Sequence, residues 1–388
     1  MMIPYGQQDI TVEDINAVQS VLLSECLTQG PAVPKFEEKA AAYCGTRHAI
    51  AVNSATSALH IACLSLGLGP GDILWTSPIT FVASSNCALY CGASIDFVDI
   101  DPSTYNLSVD RLEEKLIKAK KLGKLPKIVI PVHLCGQPCD MRRIWELSQE
   151  YGFQIIEDAS HAIGARYQGE PVGNCKYSGI TVFSFHPVKI ITTGEGGMAL
   201  TNDQMLAEKM MLLRSHGITR DAELMTHEPD GPWYYQQIDL GFNYRMTDIQ
   251  AALGNSQMKR LDEYVSRRHR IAERYVRLLQ GLPIAFQEQP PEAYSAYHLF
   301  VVRLDLSRVG LTHRQIFESM REKGIGVNLH YIPVHLQPFY KNLGFSKGDF
   351  PEAEKYYAEA ISLPMYPGLS ESEQDKVVVS LERCLSSS

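Results

Sequence analysis

The stretch SGITVFSFHPVKIITTGEGGMALTN (178–202) sets two apolar, β-branched runs on either side of a polar, glycine-rich turn. The first run leads to Ser184, and the second follows Gly194, Gly196 and Gly197. Short apolar runs bounded by such turns read as buried strands. Toward the N-terminus the same signal recurs in HAIAV (48–52), DILWT (72–76), IDFVDI (95–100), KIVIPV (127–132) and FQIIED (153–158). Helical patterns stand between several of them: SALHIACLSL (57–66), VDRLEEKLIKAKKL (109–122) and RRIWELSQEYG (142–152). Strand and helix in alternation predict an α/β fold, with a mostly parallel central sheet flanked by helices on both faces. Ligands in such sheets lie outside the carboxyl ends of the strands, so the chemistry is expected just beyond them.

Past Thr247 the pattern changes. A long helical stretch (248–282) is expected to link two domains. It is followed by a strand, YHLFVVRLD (297–305), a helix, THRQIFESMREKG (312–324), and a last helix, SESEQDKVVVSLERCL (370–385). The expected division is a large domain over 1–247, N-terminal segment included, and a linking helix with a smaller α+β domain over 248–388. A chain of 388 residues also exceeds what one compact core usually holds.

Composition narrows the partners. No apolar run reaches the roughly 18 residues of a membrane span. MMIPYGQQDITVED lacks the basic and apolar regions of a signal peptide. The expectation is a cytoplasmic protein with no membrane partner. A net charge of -8 and a pI near 5.9 argue against nucleic-acid binding. The nine cysteines are scattered and odd in number, which reads as reduced, mostly buried thiols.

Three segments carry candidate chemistry. In AVNSATSALHIA (51–62) a strand ends at Val52, and small residues around Ala55 and Thr56 open a helix whose free N–H groups suit a phosphate. Alone, the segment reads more readily as a plain N-cap. In FQIIEDASHA (153–162) Asp158 stands at the end of a buried strand, where a carboxylate needs a cation: a protonated ring nitrogen, a metal, or a helix it caps. In the 178–202 stretch, Lys189 follows Ser184 by five positions among Val188, Ile190 and Ile191. A lone lysine is usually a solvated surface residue, but these neighbours weaken that reading, and a lysine in apolar surroundings has a lowered pKa and can serve as a Schiff-base amine and a base. GEGG precedes a strand and lacks the GxGxxG spacing, which counts against a nicotinamide enzyme. Phe81, in TSPITFVASSN (76–86), is either a core residue or a platform for a flat ring. Asn243 and Arg245 lie in a turn capped by Thr247. HLCGQPC (133–139) lacks the second ligand pair of a zinc site, so no metal is expected.

Taken together, these segments resemble the DegT/DnrJ/StrS family of sugar aminotransferases, in the fold type I superfamily of pyridoxal 5'-phosphate (PLP) enzymes. The resemblance runs from LTQGPAVPKFEEKAA (27–41) to LPMYPGLSESEQDKV (363–377) and rests on the order of phosphate turn, aromatic, aspartate, Ser-x4-Lys, GEGG and FNYRM. It implies that Lys189 is the Schiff-base lysine and that Asp158 meets the pyridine nitrogen. Ala55, Thr56 and Ser184 would hold the cofactor phosphate, Phe81 would stack on the ring, and His161 would stand near the ring hydroxyl. Asn243 would reach the cofactor phosphate of a neighbouring subunit, in a homodimer with shared sites. Relatives that dehydrate sugars carry histidine in place of the lysine, so Lys189 favours transamination.

Within the family, FSFHPVKIITTGEGG, HLCGQPCDM (133–141) and HYIPVHLQPFY (330–340) resemble members that aminate C4 of a UDP-linked 4-keto-6-deoxy-N-acetyl sugar on the way to pseudaminic acid. L-glutamate is the implied donor, and His330, Tyr331 and Arg245 are candidate substrate contacts. A C4 aminotransferase for another UDP- or dTDP-keto-sugar is the neighbouring reading. A non-catalytic PLP-binding regulator is the alternative from a different class; the retained Lys189 and Asp158, and the lack of a DNA-binding motif, count against it.

Overall fold

A computed structural model describes residues 2–386. The central sheet has seven strands: β1 (His48–Val52), β2 (Ile73–Thr76), β3 (Ser94–Phe97), β4 (Ile128–Ile130), β5 (Gln154–Asp158), β6 (Ile180–Ser184) and β7 (Gly197–Thr201). Their spatial order is β1-β7-β6-β5-β4-β2-β3. Neighbours from β6 to β3 pair in parallel. Only β7 runs against both of its neighbours. The expected mostly parallel α/β sheet is therefore the one observed.

Both faces of this sheet are covered, which is why its strands read as unbroken apolar runs. Alternate residues divide between the faces: Leu74, Ile128, Ile130 and Ile156 join one buried cluster, and Trp75, Val129 and Ile155 another. Leu112, Leu116, Ile144 and Leu147, on helices Val109–Leu122 and Met141–Tyr151, close the second face at helical spacing.

The C-terminal part holds a smaller antiparallel sheet of β8 (Ile284–Phe286), β9 (Phe300–Leu304) and β10 (Ala360–Leu363), in that order, with helices His313–Glu322 and Glu371–Leu385. Ile3 enters this smaller core and pairs with Ile325. The start of the chain thus packs on the small lobe.

The long helical pattern after Thr247 is broken in two. Helix Asp248–Gln257 ends in a 3-10 turn, Met258–Arg260, before helix Leu261–Leu278 begins. Side chains at the break are tied to the N-terminal segment: Asn255 Nδ2 donates to Ala32 O (2.8 Å), Gln257 Nε2 to Asp14 (2.8 Å), and Arg260 pairs with Asp14 (2.6 Å). The apolar period continues through the turn, so periodicity alone does not reveal the break. Among the described residues, no helix is long and apolar enough to cross a membrane.

Candidate active site

One edge of the central sheet gathers the strand ends that matter. Asp158 and Ser184 close the parallel strands β5 and β6. Because β7 is antiparallel, its first residue, Gly197, lies at the same edge, opposite both Ser184 and Val52. A Cβ on Gly197 would stand 2.4 Å from Ala55 N, so the strand can press against the turn only as glycine. A cavity of about 1010 Å³ opens there.

One end of the cavity is formed by the start of helix Ala55–Ser65. Ser54 is the N-cap, extended at φ -165°, and its Oγ accepts from Ser57 N at 3.1 Å. The backbone N–H groups of Ala55 and Thr56 make no hydrogen bond among the described residues and face the cavity with the helix's partial positive charge. The Ser184 side chain lines the same cavity.

Across from it stands Asp158, 5% exposed. Its Oδ2 accepts from Ser84 Oγ at 2.6 Å and its Oδ1 from Ser160 N at 3.1 Å. Lys189 sits in a loop pinned by Thr193 N to Phe185 O (3.0 Å) and by the buried Ile190 and Ile191. Among the described residues its amine makes no hydrogen bond or ion pair. Burial draws Lys189 down to about 8, against the pull of the Asp158 carboxylate.

Glu195, Phe81, Tyr331 and the histidines His161, His298 and His330 stand on the remaining wall. Phe81 is 59% exposed, with its ring 6.3 Å from that of Tyr331. Its ring is open to the cavity and is not part of the core. His161 Nε2 meets Tyr331 Oη at 3.1 Å, and the His161 ring lies 4.4 Å from that of His298. Burial holds His161 and His298 well below the usual histidine range, and His330 at about 3. All three are neutral at physiological pH. The buried Nδ1 atoms of His161 and His298 have no partner within the described chain, as a wall awaiting a polar ligand would leave them.

Of the residues singled out in the sequence, Ala55, Thr56, Phe81, Asp158, His161, Ser184, Lys189, His330 and Tyr331 share this one cavity. Asn243 and Arg245 do not line it. Asn243 is exposed, and its carbonyl accepts from Asn53 Nδ2 (3.4 Å), a residue of the cavity wall. Arg245 pairs with Val52 on the sheet side. Ser84 and His298 lacked any signal of their own, since each acts through a contact distant in sequence. His133 of HLCGQPC donates from Nε2 to buried Glu157 (2.8 Å), while its Nδ1 accepts from Cys139 N (3.1 Å). Both ring nitrogens are thus committed.

An open aromatic face, free helix N–H groups, a buried carboxylate and an unpaired amine suit a flat aldehyde cofactor that carries a phosphate and a basic ring nitrogen. A model of the DegT/DnrJ/EryC1/StrS aminotransferase family matches residues 8–382. The chain belongs to this family. It is 38% identical over 379 residues to the spore coat polysaccharide biosynthesis protein SpsC of Bacillus subtilis, covering 97% of this chain and 95% of the relative. Its fold matches Helicobacter pylori PseC, an aminotransferase involved in the biosynthesis of pseudoaminic acid, with a TM-score of 0.91, 30% identity and full coverage of both chains. Spr1654 of Streptococcus pneumoniae in its PLP form matches with a TM-score of 0.88 at 29% identity, also over both full chains. The enzyme is a fold type I, PLP-dependent sugar aminotransferase.

Proposed function

We propose that the enzyme moves the amino group of L-glutamate to C4 of a UDP-linked 4-keto-6-deoxy-N-acetyl hexose, in the cytoplasm, as a homodimer with shared sites. The observation that carries the transamination is the unpaired Lys189 amine, drawn down to about 8, in the cavity that also holds Asp158. Likeness to PseC over the whole chain supports the sugar and its pathway toward pseudaminic acid.

Bound PLP supplies the electron sink that lets a proton leave the donor's α-carbon. The chain does the rest. Lys189 Nζ would hold the cofactor and, as the free amine, would take up the α-carbon proton as a base and give it back as an acid. Asp158 would face the ring nitrogen and keep it cationic. Ala55, Thr56 and Ser184 would hold the phosphate, Phe81 would cover one ring face, and His161 would serve as a hydrogen-bond partner for the ring oxygen. The uncharged polar groups of Tyr5, Asn328, His330 and Tyr331 line the part of the cavity suited to sugar hydroxyls and the acetamido group.

Lys189 is the one Lys or Arg among the described residues lining the cavity. A diphosphate and a dicarboxylate both need further cations or donors, which supports a second subunit at the site, with Asn243 and Arg245 as its contribution. Steady-state assays with UDP- and dTDP-linked 4-keto sugars test the substrate. The UDP N-acetyl sugar is expected to have the highest kcat/KM, with the parallel double-reciprocal lines of a ping-pong enzyme. Preference for the dTDP sugar would transfer the reading to the neighbouring C4 aminotransferases.

A further inference from the structure

We infer that Ser84 is a positioning residue for Asp158, and that Thr80 sets the direction in which Ser84 donates. The backbone of Asp158 is fixed by the sheet: its N–H donates to Pro131 O (2.9 Å), and its carbonyl accepts from His133 N (3.0 Å). That leaves the side-chain torsions free, and the carboxylate must be held by other groups. Ser84 Oγ lies 2.6 Å from Asp158 Oδ2, and Thr80 Oγ1 lies 2.7 Å from Ser84 Oγ. Ser84 and Thr80 are 0% and 3% exposed, so water does not compete.

A hydroxyl has one proton, and an ionised carboxylate only accepts. The chain of donors therefore runs one way, from Thr80 to Ser84 to Asp158. The alternative acceptor for Ser84, Phe81 O, is farther away at 3.3 Å. With Ser160 N on Oδ1, each carboxylate oxygen receives one donor from the protein. About four lone-pair sites exist on a carboxylate, so both oxygens keep one for the cavity side. Ser84 thus fixes the carboxylate plane presented to the ring nitrogen, without touching the cofactor or substrate itself.

This inference rests on the assignment of Asp158 to the ring nitrogen, and the test separates the two. PLP labelled with 15N in the ring is bound to the wild type and to Ser84→Ala, Ser84→Cys and Thr80→Val. The 15N shift then reports ring protonation, and titration gives the PLP Kd. The wild type is expected to show a protonated ring. Ser84→Ala is expected to move the signal toward the unprotonated position and weaken PLP by about tenfold, the scale of one hydrogen bond to a charged group. Thr80→Val should shift it the same way but less, and Ser84→Cys, of similar volume with a weaker donor, should lie between wild type and alanine. A wild-type signal in Ser84→Ala, or in Ser84→Cys where the alanine variant does not fold, overturns the inference. An unprotonated ring in the wild type overturns the Asp158 assignment, and this inference with it.

Discussion

Burial and the Asp158 carboxylate act on Lys189 in opposite directions, and burial wins, leaving the amine at about 8. The sign of the pH effect follows. Only the neutral amine attacks an aldehyde, so capture of PLP by the apo-protein should accelerate as pH rises and level off above about 8. An exposed lysine would keep accelerating toward about 10.4. Stopped-flow absorbance across this range distinguishes the two. Lys189→Ala should abolish turnover, and Lys189→Arg should not restore it, because a guanidinium keeps the charge but cannot form the covalent link. Substantial turnover by Lys189→Ala without added amine would sink the assignment. Asp158→Asn should retain PLP but lose on the order of 100-fold in kcat, since an amide cannot hold the ring nitrogen cationic. At this scale the sequence is informative where a residue follows a strand end at fixed spacing, as Ser184 and Lys189 do. It is silent on Ser84, whose partner Asp158 lies 74 positions away.

Elements bring these residues to one edge, and β7 presses against the start of helix Ala55–Ser65 at Gly197. A methyl group there would strike Ser54 and the start of helix Ala55–Ser65, with Ser54 O at 2.5 Å. Gly197→Ala should therefore weaken PLP binding and destabilise the protein by about 1–3 kcal/mol, the range for overpacking. Isothermal titration and denaturant melts measure the two effects. Unchanged PLP affinity would show that the strand does not set the turn. The strands themselves were legible because burial on both faces leaves them continuously apolar. The antiparallel direction of β7 was not legible, since apolar composition carries no polarity. Nor was the break at Met258–Arg260, where the bonds to Asp14 and Ala32 join segments far apart in the sequence.

The whole molecule is joined through helix Leu261–Leu278. Leu261, Tyr264 and Val265 pack with the large sheet's core, while Ile271, Ala272 and Tyr275 pack with the small one. Between them Arg268, 1% exposed, donates through one nitrogen to the carbonyls of Tyr297, His298 and Met365. Arg268→Met should strand those carbonyls and cost roughly 3 kcal/mol of stability in a urea melt. The proposed shared sites make a further prediction. Lys189→Ala and Asn243→Ala chains, each impaired alone, should regain up to about a quarter of wild-type activity when mixed, because half the dimers then carry one intact site. No recovery on subunit exchange would place Asn243 outside the partner's site. The most direct test of the account is transfer of the amino group itself. Purified enzyme with PLP, 15N-labelled L-glutamate and the UDP-linked 4-keto-6-deoxy-N-acetyl sugar should yield a labelled UDP-amino sugar, and Lys189→Ala should yield none. Label that stays in glutamate, with PLP bound and the sugar unchanged, would contradict the proposed substrate; labelled sugar from Lys189→Ala would contradict the chemistry.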